Sequence, residues 1–450
     1  MPTSTTRRRF FQQSGGALTA ATLAAAISTR AFAGEDNTIP IALIGCGGRG
    51  SGAAANALST NGPAKLAAMA DAFAERLDAS RRALAKQFAD KMDVPPERQF
   101  VGLDAYRQAI DAITPGGVAI LATPPAFRPA HLEYAVSKGC HVFMEKSFAV
   151  DVPGVRRLLK AGEDAAGKNL KIAGGLMCRH NRLVEEAVGR MHKGDIGDIV
   201  AIWACRMQGP IGMGARRPDE TELERQIRNF HLFTWGNGSI FMDYMIHDVD
   251  LCCWIKNAWP VSAQGQGGRS SPDVPGQIFD HYAIEYTFPD GTRMMAQGRH
   301  TAGCWDRFAD TINGAAGSAY ICSWGDGANR PALYKSHLQT PENLIWRGDR
   351  KKIPHACSES YQREHDLLFQ AIREDKPWNE VERCCQANLA AILGRAAFES
   401  GRQITWEDVL ASNLELAPGL DQFTRDSTPP IMPDTEGRYP TATPGAGNVL

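Results

Sequence analysis

The sequence predicts an α/β fold in two parts: a doubly wound parallel sheet, followed by an α/β domain with an open, mainly antiparallel sheet. Residues 38–175 alternate short apolar runs with helical patterns, which is typical of parallel strands covered by helices on both faces. After about residue 195 the runs lengthen and alternate apolar with polar side chains, as in strands with one buried face. A glycine-rich turn follows the first run and precedes a helical pattern.

The apolar runs of the first part are each short enough for one buried strand. They are IPIALIG (39–45), KLAAMAD (65–71), VAILATPP (118–125), HVFMEKS (141–147) and LKIAGGL (170–176). Polar–apolar stretches with helical spacing separate them, so each run is expected to be one strand of the parallel sheet.

The second part has longer strand patterns, joined in one place by a turn signal. They are DIVAIWACRM (198–207), HYAIEYTF (281–288), TRMMAQGRH (292–300) and SAYICSWG (318–325), and PDG at 289–291 links the middle two as a hairpin. Helices are predicted around 361–375 and 382–400. We therefore divide the chain into residues 1–33, a first domain 38–175, a second domain 176–415 and an extended Pro/Gly-rich tail 416–450.

Residues 1–33 have the anatomy of an export signal. Arg7, Arg8 and Arg9 precede an Ala/Leu/Thr-rich stretch, and AFA ends at Ala33, where cleavage is expected. The basic cluster with the following phenylalanines resembles the twin-arginine motif, although a disordered basic tail is the alternative. We expect a periplasmic or otherwise exported protein that uses the twin-arginine export machinery and folds before export.

The composition narrows the possible partners. With 49 basic and 50 acidic residues, no global charge favours nucleic acid. No apolar run of about 18 residues follows residue 33, so no stable membrane span is expected. The 11 cysteines are scattered without a Cys-x-x-Cys motif, and we expect most of them to be free and buried.

The turn Gly45-x-Gly47-x-x-Gly50 predicts a dinucleotide-binding Rossmann domain, because it lies between a strand and a helix. Gly45 would permit the tight turn, Gly47 the approach of a diphosphate, and Gly50 close helix–strand packing. Arg49, in the same turn, is counted with the cofactor contacts. Asp71, 21 residues beyond Gly50, would accept from the ribose hydroxyls and repel a 2′-phosphate, which favours NAD over NADP.

Two more strand ends supply candidate cofactor contacts at the same edge of the sheet. Thr123 and Pro124 stand near the end of the third run and are predicted to form walls of the cofactor site. His131, on the helix after them, is either a cofactor contact or a packing residue. Glu145 and Lys146 end the next run, where the ammonium group would reach both the cofactor and a substrate hydroxyl.

The stretch FMDYMIHDVD (241–250) supplies the acid–base candidates. Asp243 and His247 are four residues apart and share one face of a predicted helix. Either they form an ordinary buried pair, or they are part of an active site. No metal site is predicted, since Asp248 and Asp250 beside His247 lack a distant further ligand.

Taken in order, the glycine turn, Asp71, ATPP, EKS and the Asp-x-x-x-His pair resemble the Gfo/Idh/MocA family of oxidoreductases over residues 38–415. Ser147 stands where the family usually has proline. The resemblance implies that Lys146, Asp243 and His247 are catalytic. His247 would be the base, with Asp243 orienting it and Lys146 stabilising alkoxide character, although either His247 or Lys146 fits the base role.

Substrate contacts are sought near the last strand of the first domain and before the catalytic helix. The candidates are polar or aromatic side chains that suit a sugar, namely Arg179, Asn181, Arg228, Asn229, His231 and Trp235. For the candidates before the catalytic helix, an aromatic stripe packed in a core is the alternative explanation.

These observations together predict an exported NAD-dependent oxidoreductase acting on a sugar, glycoside or cyclic polyol. We expect tightly bound NAD, because free NAD is scarce outside the cytoplasm, and the resemblance implies a homo-oligomer formed through the open sheet. One alternative is an NAD-dependent, redox-neutral glycosidase that works by oxidation and elimination. The other is a non-catalytic sugar- or NAD-binding module.

Overall fold

The fold is taken from a computed structural model that describes residues 37–321, 330–349, 351, 356–447 and 449–450. Residues 38–450 form one compact unit. The predicted export signal, residues 1–33, lies outside the described residues, as does Cys322.

The first sheet is parallel, as the sequence predicts, and it has six strands in the described residues, one more than the five predicted runs. They are β1 (Ile39–Ile44), β2 (Ala64–Asp71), β3 (Gln99–Val101), β4 (Val118–Leu121), β5 (His141–Met144) and β6 (Ile172–Gly174). Their order across the sheet is β3-β2-β1-β4-β5-β6. The direction of winding changes between β1 and β4, and in doubly wound sheets a ligand crevice opens at this switch point.

Helices cover both faces of this sheet. They are α1 (Gly48–Leu58), α2 (Ala74–Gln87), α3 (Ala105–Asp111), α4 (Arg128–Ser137) and α5 (Val152–Gly167). A late helix, α10 (Ala356–Arg373), adds Leu368 and Phe369 to the same core as Leu43 of β1. The first core therefore includes a segment far beyond residue 175.

The second sheet has nine strands and is open. They are β7 (Ile199–Gln208), β8 (Ser262–Gly268), β9 (His281–Thr287), β10 (Arg293–His300), β11 (Arg307–Gly314), β12 (Ser318–Ile321), β13 (Ala332–Tyr334), β14 (Leu344–Arg347) and β15 (Ile404–Thr405). Their order is β14-β13-β12-β11-β7-β10-β9-β8-β15. All pairs are antiparallel except β7 with β10, so the prediction of a mainly antiparallel sheet is confirmed.

The remaining helices are α6 (Arg182–His192), α7 (Glu222–Arg228), α8 (Thr234–Asn237), α9 (Ile240–Lys256), α11 (Val381–Ser400) and α12 (Trp406–Ala411). α9 and α11 pack on one face of the second sheet, where Ile284 and Tyr286 are buried. The opposite face leaves Trp203 half exposed. α9 is buried on nearly all sides, whereas the sequence suggested an apolar stripe only.

The cysteines agree with the expectation from the sequence where their side chains are described. None of the nine cysteines whose side chains are described forms a disulfide, and Cys304 is the exposed one among them. The helices in the described residues include none long and apolar enough to cross a membrane, and no cluster there could hold a metal ion. The predicted tail is irregular in its described part, and it packs back on the protein: Ile431 O accepts from Gln226 Nε2 at 2.7 Å.

Candidate active site

The glycine turn between β1 and α1 has the geometry that close backbone approach requires. Gly45 has φ +94°, and a Cβ there would lie 2.6 Å from the carbonyl carbon of Ala122. A Cβ on Gly50 would lie 1.9 Å from Gly45 O, so only glycine lets α1 pack this closely on the strand. At Gly47 a Cβ would meet no atom within 4 Å, which leaves the backbone open to the space outside.

A cleft of about 610 Å³ lies above this turn. It begins at the glycine turn and Asp71, passes the end of β4, and reaches the end of β5 and α9. The cleft is lined by most of the predicted cofactor-binding and catalytic residues, namely Gly45, Gly47, Arg49, Gly50, Asp71, Thr123, Pro124, Glu145, Lys146 and Asp243. Side chains from the two sheets therefore meet in one cleft.

Asp71 is anchored at the end of β2 rather than solvated. Oδ2 accepts from Cys46 N at 2.6 Å and Oδ1 accepts from Phe73 N at 2.9 Å. Burial raises the pKa of Asp71, and the two amide hydrogen bonds and the nearby Arg76 oppose that shift. Each carboxylate oxygen has a further lone pair for a ribose hydroxyl.

The predicted contact between His131 and the cofactor is replaced by a supporting contact. Nδ1 of His131 lies 3.2 Å from Thr123 Oγ1, and its ring stacks on Tyr106 at 4.0 Å. Burial, helped by Arg128 and Arg107, lowers the pKa of His131 to about 3, so the ring is neutral. His131 is buried in a helix packed behind Thr123, which explains why it holds this wall of the cleft instead of facing it.

Arg128 is a structural residue of the site that the sequence analysis missed. Its buried guanidinium donates to the backbone carbonyls of Thr123, Glu145 and Ser147 and so ties the end of β4 to the end of β5. Burial lowers the pKa of Arg128 to about 10, which still leaves it charged at neutral pH. The available signal was an arginine at the first position of the helix that follows β4, in FRPAHLEYA.

Arg49 and Glu145 form a second connection across the switch point. Arg49 Nε lies 2.9 Å from Glu145 Oε1, and its guanidinium lies over the ring of Tyr361 at 4.5 Å. The glycine turn, the end of β5 and α10 are thereby joined around one cation. Both residues line the cleft, as predicted.

Lys146 and Asp243 meet although 97 residues separate them in sequence. Lys146 Nζ donates to Asp243 Oδ1 at 2.7 Å and to Asp243 O at 2.6 Å. The other carboxylate oxygen, Oδ2, lies 2.5 Å from His231 Nδ1. Burial alone would raise the pKa of Asp243, but Lys146 and His231 outweigh it and hold that pKa well below its usual range.

The structure corrects the expected pairing of Asp243 with His247. The two carboxylate oxygens of Asp243 contact Lys146 and His231 instead. His247 lies one turn further along α9, and its Nδ1 is buried with no hydrogen-bond partner among the described residues. Burial, with the charges of Lys146 and Arg206, lowers the pKa of His247 well below its usual range. The i,i+4 spacing correctly indicates that both residues share one helix face. Asp243 nevertheless pairs with residues from other segments, Lys146 and His231.

Residues 209–231, here called the strap, lead from the end of β7 to the edge of the cleft. Arg228 Nη1 lies 2.5 Å from Glu75 Oε1 of α2, and its guanidinium lies 3.7 Å from the centre of the Phe73 ring. Arg217 Nη1 also reaches Glu75 at 2.5 Å, and Arg76 Nη2 donates to Arg228 O at 3.0 Å. The strap thus runs from the second sheet to α2 of the first, and Arg228 and His231 line the cleft.

Four of the predicted substrate contacts have structural partners instead of facing the cleft. Arg179 forms a two-pronged ion pair with Asp250, at 2.8 Å for each nitrogen. Asn181 caps α6 by accepting from Leu183 N at 3.0 Å, and it is buried.

Of the other two, Asn229 lies in the strap and Trp235 follows it. Asn229 Oδ1 accepts from Gly214 N at 2.9 Å, which fixes a turn of the strap itself. Trp235 is buried and donates from Nε1 to Gln226 Oε1 at 2.7 Å. These polar side chains are used by the local backbone and core, which sequence position alone does not reveal. Arg228 and His231 are the predicted substrate residues that the structure places in the cleft lining.

No protein-family model and no curated protein matches this chain. Solved structures do match it. The scyllo-inositol dehydrogenase from Lactobacillus casei, solved with NAD(H) and scyllo-inositol, has 21% identity and a TM-score of 0.61 over 82% of this chain and 99% of that chain. An oxidoreductase domain protein from Kribbella flavida has 17% identity and a TM-score of 0.65, with 82% and 99% covered.

A third match is the UDP-N-acetylglucosamine 3-dehydrogenase from Acidithiobacillus ferrooxidans. It has 18% identity and a TM-score of 0.57 over 80% of this chain and 98% of that chain. At these identities the likeness establishes the fold, and this chain has the fold of solved inositol and sugar dehydrogenases.

Proposed function

We propose that the chain is an exported, NAD-dependent oxidoreductase of the Gfo/Idh/MocA family, acting on a secondary alcohol of a sugar, glycoside or cyclic polyol. One observation carries the proposal: a single cleft is lined at one side by the glycine turn and Asp71, and at the other by Lys146 and Asp243. A dinucleotide site and an acid–base site thereby share one space. The inositol and nucleotide-sugar dehydrogenases with this fold support the substrate class.

The cleft fits a nicotinamide dinucleotide on its own chemistry. The open face at Gly47 and the N-terminus of α1 suit a diphosphate, since unpaired backbone N–H groups there attract anions. Asp71 suits a ribose diol and disfavours a 2′-phosphate, so NAD is preferred to NADP. When bound, the nicotinamide ring supplies the acceptor for the hydride that leaves the carbinol carbon.

The protein side chains supply binding and charge stabilisation around the reacting hydroxyl. Lys146 Nζ has three N–H donors, and two are used by Asp243. The third is available to the substrate oxygen and would stabilise negative charge developing there. Asp243 fixes the Lys146 ammonium in position. His247, one turn away on α9, remains a proposed member of the catalytic group.

Export and cofactor retention are part of the same proposal. Residues 1–33 carry the twin-arginine-like signal, and export after folding would let the enzyme acquire NAD in the cytoplasm. Retention is supported by the strap, because ion pairs from Arg228 and Arg217 to Glu75 join it to α2 beside the cleft. A retained cofactor would then be recycled by a second substrate.

The test is to purify the full chain without added cofactor and record its absorbance and its native and denatured masses. Bound NAD or NADH, and nicotinamide reduction with a polyol or sugar from a panel, would support the proposal. The panel includes an aryl glycoside, because release of phenol without lasting NADH would indicate redox-neutral cleavage instead. A stable chain that binds no added dinucleotide would refute the function.

A further inference from the structure

We propose that His231, in the strap, is a catalytic residue of the proposed reaction and removes the proton of the substrate hydroxyl at its Nε2 atom. This inference rests on the proposed function and names its proton acceptor. The residues that resemblance singled out do not include His231. The proposal is instead based on the contacts around the His231 ring.

The imidazole of His231 is held in place on several sides. Nδ1 lies 2.5 Å from Asp243 Oδ2, the ring lies against Phe230 with centroids 3.8 Å apart, and the backbone carbonyl accepts from Asn237 Nδ2 at 2.7 Å. The side chain is nevertheless 38% exposed and lines the cleft. Because Nδ1 is committed to the carboxylate, the nitrogen left for a cleft-bound ligand is Nε2.

This arrangement divides the roles between three side chains. Asp243 accepts from Nδ1–H, which fixes the tautomer with a lone pair on Nε2 and would stabilise the imidazolium once formed. The same carboxylate holds Lys146 on its other oxygen, 2.7 Å from Nζ. Lys146 then acts as a donor to the substrate oxygen, while His231 acts as the acceptor of its proton.

The neighbouring histidine is less suited to that task. His247 is surrounded by protein and lies beside the positive charges of Lys146 and Arg206, which makes proton uptake costly. His231 has the opposite setting, with a carboxylate at Nδ1 and solvent access through the cleft. A proton taken up by His231 can therefore leave to solvent after each turnover.

Proton transfer and hydride transfer together convert the alcohol to a carbonyl. The substrate O–H bond breaks and an N–H bond forms at His231 Nε2, while the electron pair of the oxygen forms the carbonyl bond. The carbon-bound hydrogen leaves with two electrons to oxidised nicotinamide, the oxidant of the proposed reaction. In the reverse direction His231 returns the proton to the alkoxide oxygen.

The test compares His231→Asn and His231→Ala with the parent chain, loaded with NAD⁺. Myo-inositol, scyllo-inositol, D-glucose and UDP-N-acetylglucosamine are offered in turn. Asparagine can still donate to Asp243 but cannot accept a proton at the Nε2 position, so kcat is expected to fall by about 10²–10⁴. The dissociation constant for NAD⁺ should stay within about threefold, and added imidazole should restore part of the rate of His231→Ala, because only a proton acceptor is missing.

His281→Asn is the matched control, because His281 also pairs with an aspartate, at 2.7 Å between Nδ1 and Asp280 Oδ1, away from the cleft. Its kcat should match the parent. Proton NMR without substrate gives a second readout: the downfield Nδ1 proton should persist in His281→Asn and be lost in His231→Asn and Asp243→Asn.

Two outcomes would count against the account, and they differ. If the parent turns over a probe and His231→Asn retains kcat within about threefold, or His281→Asn loses as much, His231 is not the acceptor. If the parent binds no NAD⁺ or turns over no probe, the proposed function itself is overturned.

Discussion

Asp243 connects two functional groups that come from distant parts of the chain. Its carboxylate holds the Lys146 ammonium from the end of β5 and the His231 imidazole from the strap. A buried carboxylate is costly unless partners compensate its charge, and the Lys146 ammonium and the contact with His231 hold the pKa of Asp243 low. Removing either partner therefore has a structural as well as a chemical effect.

Lys146→Met should abolish turnover and destabilise the protein. It removes the donor to the substrate oxygen, and it leaves the buried Asp243 carboxylate without its ammonium partner, with the contact to His231 remaining. We expect kcat to fall by at least about 10²-fold. The free energy of unfolding should fall by about 3 kcal/mol, as when one partner of a buried ion pair is removed.

The double variant Lys146→Met/Asp243→Asn separates these two effects. Because the uncompensated charge is gone, denaturant unfolding should recover part of the lost stability, while turnover stays absent. Recovered turnover in the double variant, or full activity in Lys146→Met, would contradict the role given to Lys146.

At the residue scale, the sequence predicted what depends on local geometry and missed what depends on tertiary partners. The positive φ of Gly45 and the close packing at Gly50 follow from strand–turn–helix context and were predicted. The pairing of Asp243 with His231 was not, since helical spacing says which residues share a face but not which segment packs there. Arg128 was missed because its three acceptors are backbone carbonyls on two strands.

Among the elements, the strap borders the cleft and is joined to α2 by ion pairs. Its Arg228 and Arg217 side chains share one acceptor, Glu75 Oε1, at 2.5 Å each. Arg228 is also held by Glu220 at 2.8 Å. The two contacts with Glu75 involve a half-exposed carboxylate, so each is worth only about 0.2–1 kcal/mol, and we expect them together to restrain the strap.

Glu75→Gln should speed release of the bound dinucleotide without changing the fold. Loss of two ion pairs of about 0.5 kcal/mol each predicts roughly fivefold faster dissociation, because the strap opens more often. Stopped-flow fluorescence of NADH release measures this rate directly, and added salt should speed the parent in the same direction.

The control for Glu75→Gln lies on the same helix. Asp78→Asn removes exposed pairs with Arg81 and Arg82 of α2, which do not reach the strap. It should leave the release rate unchanged. Equal effects from both variants would show that helix charge, and not the strap contact, controls release.

The elements themselves were largely predictable from periodicity, but the core in which each one packs was not. The helix expected at 361–375 is α10 (Ala356–Arg373), and the one at 382–400 is α11 (Val381–Ser400). A single sequence gives no signal that Leu368 and Phe369 would return to the core of the first sheet. That packing is set by the long-range topology of the chain.

For the whole molecule, buried neutral histidines are expected to govern stability in acid. His365 has no exposed surface, its ring lies 4.1 Å from that of Phe143, and both nitrogens lack a hydrogen-bond partner among the described residues. Burial, with the charge of Arg49, lowers the pKa of His365 from 6.5 to about 3. The unfolded chain thus binds this proton more readily, and stability is lost as pH falls from 6.5 toward 3.

His365→Phe should keep the stacking and remove that proton linkage. Between about pH 7 and pH 5 the parent should lose about 2 kcal/mol of unfolding free energy through this one group, and the variant should lose that much less. Urea unfolding at the two pH values measures the difference. A variant with the pH dependence of the parent would show that His365 does not contribute.

Self-association remains a prediction for the exposed face of the second sheet. Trp203 of β7 is 51% exposed there, and its Nε1 donates to Gln297 Oε1 of β10 at 3.3 Å. If this face is the contact between copies, light scattering of the full chain should give an oligomer, and Trp203→Lys should shift it toward the monomer. A monomeric parent at micromolar concentration would refute the prediction.

The central claim is that one cleft brings a nicotinamide dinucleotide to Lys146, Asp243 and His231. A crystal structure of the protein with NADH tests it most directly. The account predicts the diphosphate at Gly47, the adenosine ribose at Asp71 and the nicotinamide ring beside Lys146. A dinucleotide bound with its nicotinamide away from Lys146, or bound outside this cleft, would contradict it.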